Sequence, residues 1–357
     1  MPITADIKKK HLKSLSLALR HELEGYFDKG EWHAGDLEQR LMSLGVRRER
    51  EALPLDEMAH LQDYDQRARK VVDQYMALRT GAGMTRESAV AEFVRETAYT
   101  WANRLLALRC TEARELIDEA ILQKEVYSGR SLEHNRLLQS RPELAKQNDD
   151  GLFLVLEQAF ARMAKHLPLL FDPHAPSIAL RPSPAVLKRC IAMLSGTTPA
   201  RGQESIDAAV FKEPDALGWA YQFWNTEENK RVFEAVRTKK AKIAGADIVP
   251  ATQLYTEPYM VKFLVQNSLG ATWQGMHPES KLADGWEYFV RDADRAPIAE
   301  KDRKRVADLS FLDPACGSGH FLLEAFDLLF AMYKEEGVVT DDVAICQHIL
   351  EKNLYGI

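Results

Sequence analysis

Residues 309–322 read LSFLDPACGSGHFL, and this stretch decides the fold of the C-terminal part of the chain. The apolar run Leu309–Leu312 predicts a buried β-strand, and the amphipathic segment Phe321–Tyr333 predicts a helix that follows it at once. Gly317 and Gly319 lie between them, permit positive φ, and lack the Cβ atoms that would keep a ligand away from the backbone. A strand, a loop of small residues and a helix start in this order are typical of a nucleotide-binding turn.

The composition of the 357 residues is that of a soluble globular protein with two or more domains. A net charge of −6 gives no global case for nucleic-acid binding, so any contact with DNA must be local. No apolar run reaches the ~20 residues of a membrane span, and no signal peptide precedes the first helix, which predicts a cytoplasmic protein without a membrane partner. The four cysteines are far apart and the histidines show no ligand spacing, so we predict neither a disulfide framework nor a metal site.

The first 200 residues are predicted to form a helical N-terminal domain. Apolar residues recur at spacings of three and four from Leu12 to Tyr26, and no stretch of this half shows the period of a strand. Thr85 is the predicted N-cap of a long helix, and Ser183 is the predicted N-cap of another, with Pro184 in its first turn. Residues 201–245 are interpreted as a helical connector that carries a basic stretch, and residues 246–357 as the start of an α/β domain.

A second informative stretch, residues 251–264, reads ATQLYTEPYMVKFL. Thr256 is the predicted N-cap of a helix with Pro258 in its first turn, and Tyr259, Phe263 and Leu264 form an apolar face. As a helix start alone, this stretch says nothing about function.

Both stretches resemble motifs of adenine-specific DNA methyltransferases. Asp313–Phe321 resembles the S-adenosylmethionine-binding motif I, and Tyr255–Pro258 resembles motif X, although Glu257 interrupts the usual Tyr-Thr-Pro order. Motif X upstream of motif I is the gamma-class arrangement. Residues 98–109, 217–224 and 248–270 are also similar to the PglX-type enzymes of the BREX and DISARM phage-defence systems.

The resemblance implies a mainly α N-terminal domain followed by the start of a Rossmann-like class I methyltransferase domain. Asp313 would end the first strand and hold the loop, and Phe321 would close the pocket. Cys316 is interpreted as a space-filling residue because methyl transfer to an amine needs no covalent intermediate, whereas His320 is either a ligand contact or an exposed helix start. The residues implied to bind S-adenosylmethionine are Tyr255, Thr256, Pro258, Asp313, Pro314, Ala315, Cys316, Gly317, Gly319 and Phe321.

The implied activity is transfer of a methyl group from S-adenosylmethionine to adenine N6 in double-stranded DNA, which would mark host DNA in phage defence or restriction–modification. Other phage-defence proteins are the further partners that the resemblance implies. The transfer needs a flipped base. The family holds this base with an Asn/Asp-Pro-Pro-Tyr/Phe motif, but the 357 residues of this sequence contain no Pro-Pro dipeptide. We therefore assign no catalytic residue, interpret the chain as an N-terminal portion of the enzyme, and expect it to be inactive alone. Residues 353–357 are predicted to be the second strand, and in the family the acidic residue that binds the ribose hydroxyls follows it, so we expect this chain to bind the cofactor weakly or not at all.

Two other functions remain open at this point. Pro214-Asp215 and Glu228-Asn229-Lys230 match the Pro-Asp…Glu-x-Lys pattern of Mg²⁺-dependent nucleases, whose carboxylates must converge from adjacent strands. Residues 219–224 suit a helix as well as a strand. Alternatively, the helical half docks a partner protein and has no catalytic role.

The basic stretch Arg237–Lys242 either contacts phosphates or is a solvated helix end.

Overall fold

The protein is described by a computed structural model over residues 5–200, 205–252, 256–291 and 297–357. The chain divides into two units, Met1–Trp224 and Asn225–Ile357, and each has its own internal packing. Most described residues are helical. None of the described helices is both long enough and apolar enough to cross a membrane.

Helices dominate the first unit, and two long ones, α1 and α4, contribute much of its core. Leu12, Leu19, Phe93 and Leu105 on these helices are fully or almost fully buried. The Thr85 side chain accepts from the backbone N–H of Ser88, which confirms it as the N-cap of α4. The helices are α1 (Ala5–Leu23), α2 (Asp36–Ser43), α3 (Asp63–Gly81), α4 (Arg86–Ala113), α5 (Leu132–Ser140), α6 (Leu152–Ala164), α7 (Pro176–Ala179), α8 (Pro184–Leu194) and α9 (Ala216–Trp224).

The first unit also contains a β-hairpin that the sequence did not predict. Strand β1 (Gly25–Asp28) pairs antiparallel with β2 (Glu31–Ala34). Lys29 and Gly30 both have positive φ, as a tight hairpin turn requires. The prediction of a strand-free half was wrong because Tyr26 continues the apolar spacing of α1, although the helix ends at Leu23.

The second unit consists of helices around a short pair of strands. Strand β3 (Phe311–Asp313) pairs parallel with β4 (Leu354–Gly356). The described residues of this unit include no further strand, so the predicted Rossmann-like domain stays a prediction. The helices are α10 (Thr226–Lys239), α11 (Ile248–Thr252), α12 (Pro258–Val265), α13 (Ala271–Met276), α14 (His320–Glu336) and α15 (Asp342–His348). π-Helical turns at Gln266–Gly270 and Ile349–Asn353 follow α12 and α15.

One hydrophobic core joins these elements of the second unit. Helices α12 and α13 contribute Val261, Val265 and Trp273, and α14 contributes Leu329 and Met332. Helix α14 also packs against β3 and β4. The core thus lies on one side of the strand pair and supports the loop that joins β3 to α14.

The division into two units leaves the predicted boundaries at residues 200 and 245 untested, so the three-part organisation stays a prediction.

The structure gives the nuclease hypothesis no support. Asp215 directly precedes α9, and Glu228 lies in the first turn of α10, so neither carboxylate lies on a strand.

Candidate cofactor-binding site

The candidate site lies where β3 ends and its loop begins. The register places Asp313 beside Gly356 at the carboxyl ends of the two parallel strands. Beyond that pair, the Ile357 N–H donates to the Asp313 carbonyl at 3.0 Å, and the Cys316 N–H donates to the Ile357 carbonyl at 3.1 Å. The end of β4 therefore anchors both the start and the middle of the loop. Ligands bind at the carboxyl ends of strands in open parallel sheets.

Asp313 is the charged residue of this loop, and one of its two carboxylate oxygens accepts a hydrogen bond from the described residues. Oδ1 accepts from the Ala315 N–H at 3.1 Å, which fixes the first turn of the loop. Oδ2 is buried and has no hydrogen-bond partner among the described residues. Buried carboxylate oxygens are rarely left without a donor, so Asp313 has hydrogen-bonding capacity that the described residues do not satisfy.

The two loop glycines leave space in front of the backbone. Gly317 has φ +52° and Gly319 has φ +82°, which are left-handed conformations that side chains rarely adopt. A Cβ built at either position would meet nothing within 4 Å. Gly319 also precedes the first residue of α14, and the start of that helix leaves free backbone N–H groups. The loop thus offers an open surface with hydrogen-bond donors, as the sequence predicts.

Cys316 packs against the end of β4. A Cβ built at Gly356 would lie 2.9 Å from the Cys316 sulfur and 3.0 Å from Leu322 Cδ1. The cysteine therefore fills space between the loop and the strand, which agrees with its interpretation as a packing residue. Phe321 is partly buried and packs against the core of the second unit. Its predicted role in closing a pocket stays a prediction.

The remaining predicted residues of motif I are more open. Pro314 and Ala315 are exposed on the loop, and His320, the first residue of α14, is half-buried. Both interpretations of His320 therefore remain possible.

The residues predicted to form motif X lie at the start of α12. Tyr255 lies outside the described residues. Thr256 is half-buried, but the N-cap of α12 is Glu257 and not Thr256, which corrects the prediction. The physical reason is Pro258: it lacks an N–H and its ring favours an extended residue before it, so the helix begins at the proline.

The two predicted motifs stand on neighbouring helices. Helix α12 packs against α14, and Val261 and Val265 share one core with Leu328 and Leu329. The two helices therefore share a common core, and the pairing of motif X with motif I at one cofactor stays a prediction.

The sequence reasoning missed two residues of this region, Gly356 and Asn353. Gly356 allows the loop to approach β4 closely, and Asn353 is fully buried just before that strand. A glycine inside a strand signals close approach of another segment, so Gly356 was detectable in principle. An asparagine before a strand carries no comparable signal.

The other charged features of the second unit are less specific. Arg237 and Lys239 lie in the last turn of α10, where cations stabilise the helix dipole, and the stretch up to Lys242 is exposed. Both interpretations of this stretch remain open. In the parts of the chain that are described, no group of three or more His, Cys, Asp or Glu side chains is placed to hold a metal ion.

Comparison with known proteins identifies relatives that match about three quarters of the chain. No family model matches it. The chain is 30% identical over 302 residues to the adenine-specific methyltransferase PglX of Lacticaseibacillus casei (strain Zhang). It is 31% identical over 304 residues to the adenine-specific methyltransferase BrxX of Escherichia coli O9:H4 (strain HS).

The chain is homologous to the PglX/BrxX-type methyltransferases. The matches cover 75% and 76% of this chain, which is more than either unit contains, so they extend into both units. They cover 24% and 23% of the two relatives, so the chain spans about a quarter of the length of the curated relatives it matches. The PglX-type resemblance predicted from the sequence is thereby confirmed.

Proposed function

We propose that this chain supplies part of the S-adenosylmethionine site of an adenine-specific DNA methyltransferase. The observation that carries the proposal is the unpartnered Oδ2 atom of Asp313, buried at the end of β3 beside a glycine loop with open space in front of it. S-adenosylmethionine has a cationic sulfonium, an ammonium group and ribose hydroxyls. A carboxylate beside exposed backbone N–H groups suits such a ligand. The PglX/BrxX relationship supports the same assignment.

We assign the contacts with this cofactor residue by residue. Asp313 accepts a hydrogen bond from the cofactor, while Ala315, Cys316, Gly317 and Gly319 line its methionine and ribose side. Pro314 shapes the turn, and Phe321 closes the pocket. Tyr255, Thr256 and Pro258 at the start of α12 hold the methionine end from the neighbouring helix.

The test compares Asp313→Asn with Asp308→Asn. Asp308 is an exposed aspartate on the turn before β3, where it pairs with Arg305, so it controls for the loss of one negative charge close to the loop. In a protein of the relatives' length that contains these residues, Asp313→Asn should weaken S-adenosylmethionine binding about tenfold or more by calorimetry. Asp308→Asn should leave the affinity within about twofold of the wild type. Equal affinities of the two variants would refute the proposed role of Asp313.

We further propose that the complete enzyme transfers the methyl group to adenine N6 in duplex host DNA, as part of phage defence. The names of the relatives support the base and the chemistry. The 357 residues contain no Asn-Pro-Pro-Tyr motif to hold a flipped adenine, so we propose that they do not methylate DNA alone. Incubation of the chain with duplex DNA and methyl-labelled S-adenosylmethionine should transfer no label. Labelled N6-methyladenine in that reaction would contradict this proposal.

A further inference from the structure

Asn353 is the buried polar residue behind the candidate cofactor loop. Its side chain is 0% exposed, at the last position of the π-helical turn Ile349–Asn353 and directly before β4. Asn353 Oδ1 accepts from the Tyr333 hydroxyl at 3.0 Å. Its Nδ2 donates to the carbonyls of Val306 at 2.9 Å and Leu309 at 2.7 Å. The amide therefore makes three hydrogen bonds inside the core, which satisfies most of its capacity.

These three bonds join elements that are far apart in sequence. Tyr333 lies in the last turns of α14 and is itself buried. Val306 and Leu309 flank the short turn that leads into β3. Asn353 leads into β4. One side chain thus connects the helix behind the loop with the entrances of both parallel strands.

The strands need such a connection because they are short. Each has three residues, and a pair of this size is marginal without packing or other restraints. Side chains alternate between the faces of a strand, so a shift of one residue would turn Asp313 to the opposite face. It would also remove Gly356 from the position that Cys316 requires. The register of β3 against β4 therefore decides whether the loop has its observed geometry.

We propose that Asn353 is a positioning residue of the candidate cofactor site. Its amide fixes the register of β3 against β4 from the entrance of the strands, and the loop at their other end is held in its binding geometry as a result. The link to cofactor binding rests on the proposed function, whereas the control of loop geometry does not.

Hydrogen exchange measured on this chain without cofactor tests the control of loop geometry. Asn353→Leu keeps a similar volume and removes all three hydrogen bonds, while Tyr333→Phe removes one. Ile345→Ala is the control, because Ile345 is fully buried in the same core but makes no side-chain hydrogen bond. The readout is exchange in peptides that cover residues 313–319 and 354–357, relative to a peptide that covers residues 325–333 of α14.

The expected result is selective loosening of the loop. Asn353→Leu should speed exchange in the loop and β4 peptides about tenfold more than in the α14 peptide, and Tyr333→Phe about threefold more. Ile345→Ala should speed all three peptides by a similar factor, because it lowers stability without touching the amide network. Equal acceleration of all peptides in Asn353→Leu would overturn the proposal, since Asn353 would then act only on overall stability. If Asn353→Leu does not fold, Tyr333→Phe provides the test. Exchange that is faster in its loop and β4 peptides than in its α14 peptide would support the proposal, and equal acceleration would overturn it.

Calorimetry with S-adenosylmethionine tests the link to cofactor binding, in a protein of the relatives' length that contains these residues. Tyr333→Phe should weaken binding about threefold and Asn353→Leu about tenfold, while Ile345→Ala stays near the wild type. A loosened loop with unchanged affinity would overturn the role of Asn353 in the cofactor site. A wild-type protein that binds no S-adenosylmethionine would instead refute the proposed function, and the exchange ratio would still decide the control of loop geometry.

Discussion

The first unit buries whole arginine side chains in its helical core, whereas the second unit leaves apolar strand residues open to solvent. Arg104 and Arg109 are each 2% exposed, and their guanidinium groups donate to backbone carbonyls. Leu312 on β3 is 55% exposed and Tyr355 on β4 is 49% exposed. These two residues are partners in the strand register, so one face of the pair is open while α14 covers the other.

The difference indicates that buried polar groups serve the stability of the first unit, whereas the strand pair of the second unit serves to support the candidate loop. The first unit holds Arg104 and Arg109 by hydrogen bonds to its own backbone carbonyls, which makes the position of these two charges part of the fold. The second unit supports a loop with a carboxylate oxygen that has no hydrogen-bond partner among the described residues, and it has an open strand face. Substitutions in the first unit should therefore affect stability, and those near the loop should affect the site as well.

The largest effect is expected from Arg104→Leu. The guanidinium of Arg104 donates to the carbonyls of Leu170 at 2.9 Å and Asp172 at 2.7 Å, and it lies over the ring of Phe160. Leucine would leave both carbonyls without this donor and create a cavity, so the free energy of unfolding should fall by about 4 kcal/mol. Arg95→Leu on an exposed position of the same helix is the control, and chemical denaturation is the measurement. Similar losses in both variants would show that burial of Arg104 contributes nothing.

Gly356→Val is expected to have the next largest effect. The new side chain would meet Cys316 and Leu322 at distances that force the loop to move, and overpacking of this kind costs up to about 3 kcal/mol. Gly285→Val is a matched control, because a Cβ at Gly285 would meet nothing within 4 Å. Denaturation should show the loss in Gly356→Val alone. Unchanged stability of that variant would mean that the loop does not pack on β4 in solution.

The stability of the first unit should depend on pH through Glu112. Glu112 Oε1 accepts from the N–H groups of Ala120 and Ile121, and Oε2 lies 3.9 Å from Arg109. Burial raises the pKa of this carboxyl from 4.5 to about 7, although both N–H groups and Arg109 oppose the shift. The folded state favours the protonated form of Glu112. The stability that this preference contributes is fully present below pH 4.5 and is lost as the pH rises through about 7.

Glu112→Gln removes that titration and keeps an oxygen for the two N–H groups. Between about pH 4.5 and pH 8 the wild type should lose about 2 kcal/mol more of its unfolding free energy than Glu112→Gln does. Glu115→Gln, at an exposed position just after α4, should follow the wild type. Denaturation at several pH values measures the difference. Parallel curves for wild type and Glu112→Gln would contradict a raised pKa.

The local features of the fold were predictable, and the features that depend on distant residues were not. Thr85 and Ser183 were recognised as N-caps because the cap and its helix are adjacent in sequence. The strand, loop and helix around Asp313 were recognised for the same reason, within two or three residues at the element boundaries. The roles of Asn353 and Gly356 come from partners about twenty to forty-seven residues away, which no local pattern contains.

The smallest effect on stability is expected at the open strand face, where Leu312→Thr tests the comparison most directly. Leu312 is largely exposed, and threonine suits a strand, so the free energy of unfolding should change by no more than about 0.5 kcal/mol. The neighbouring Phe311 points to the other face and packs against the core, so Phe311→Thr should cost about 2 kcal/mol or more. Chemical denaturation of the two variants measures the loss of unfolding free energy in each. A loss in Leu312→Thr as large as that in Phe311→Thr would mean that this face of the strand pair is covered in solution, and the contrast between the two units would then disappear.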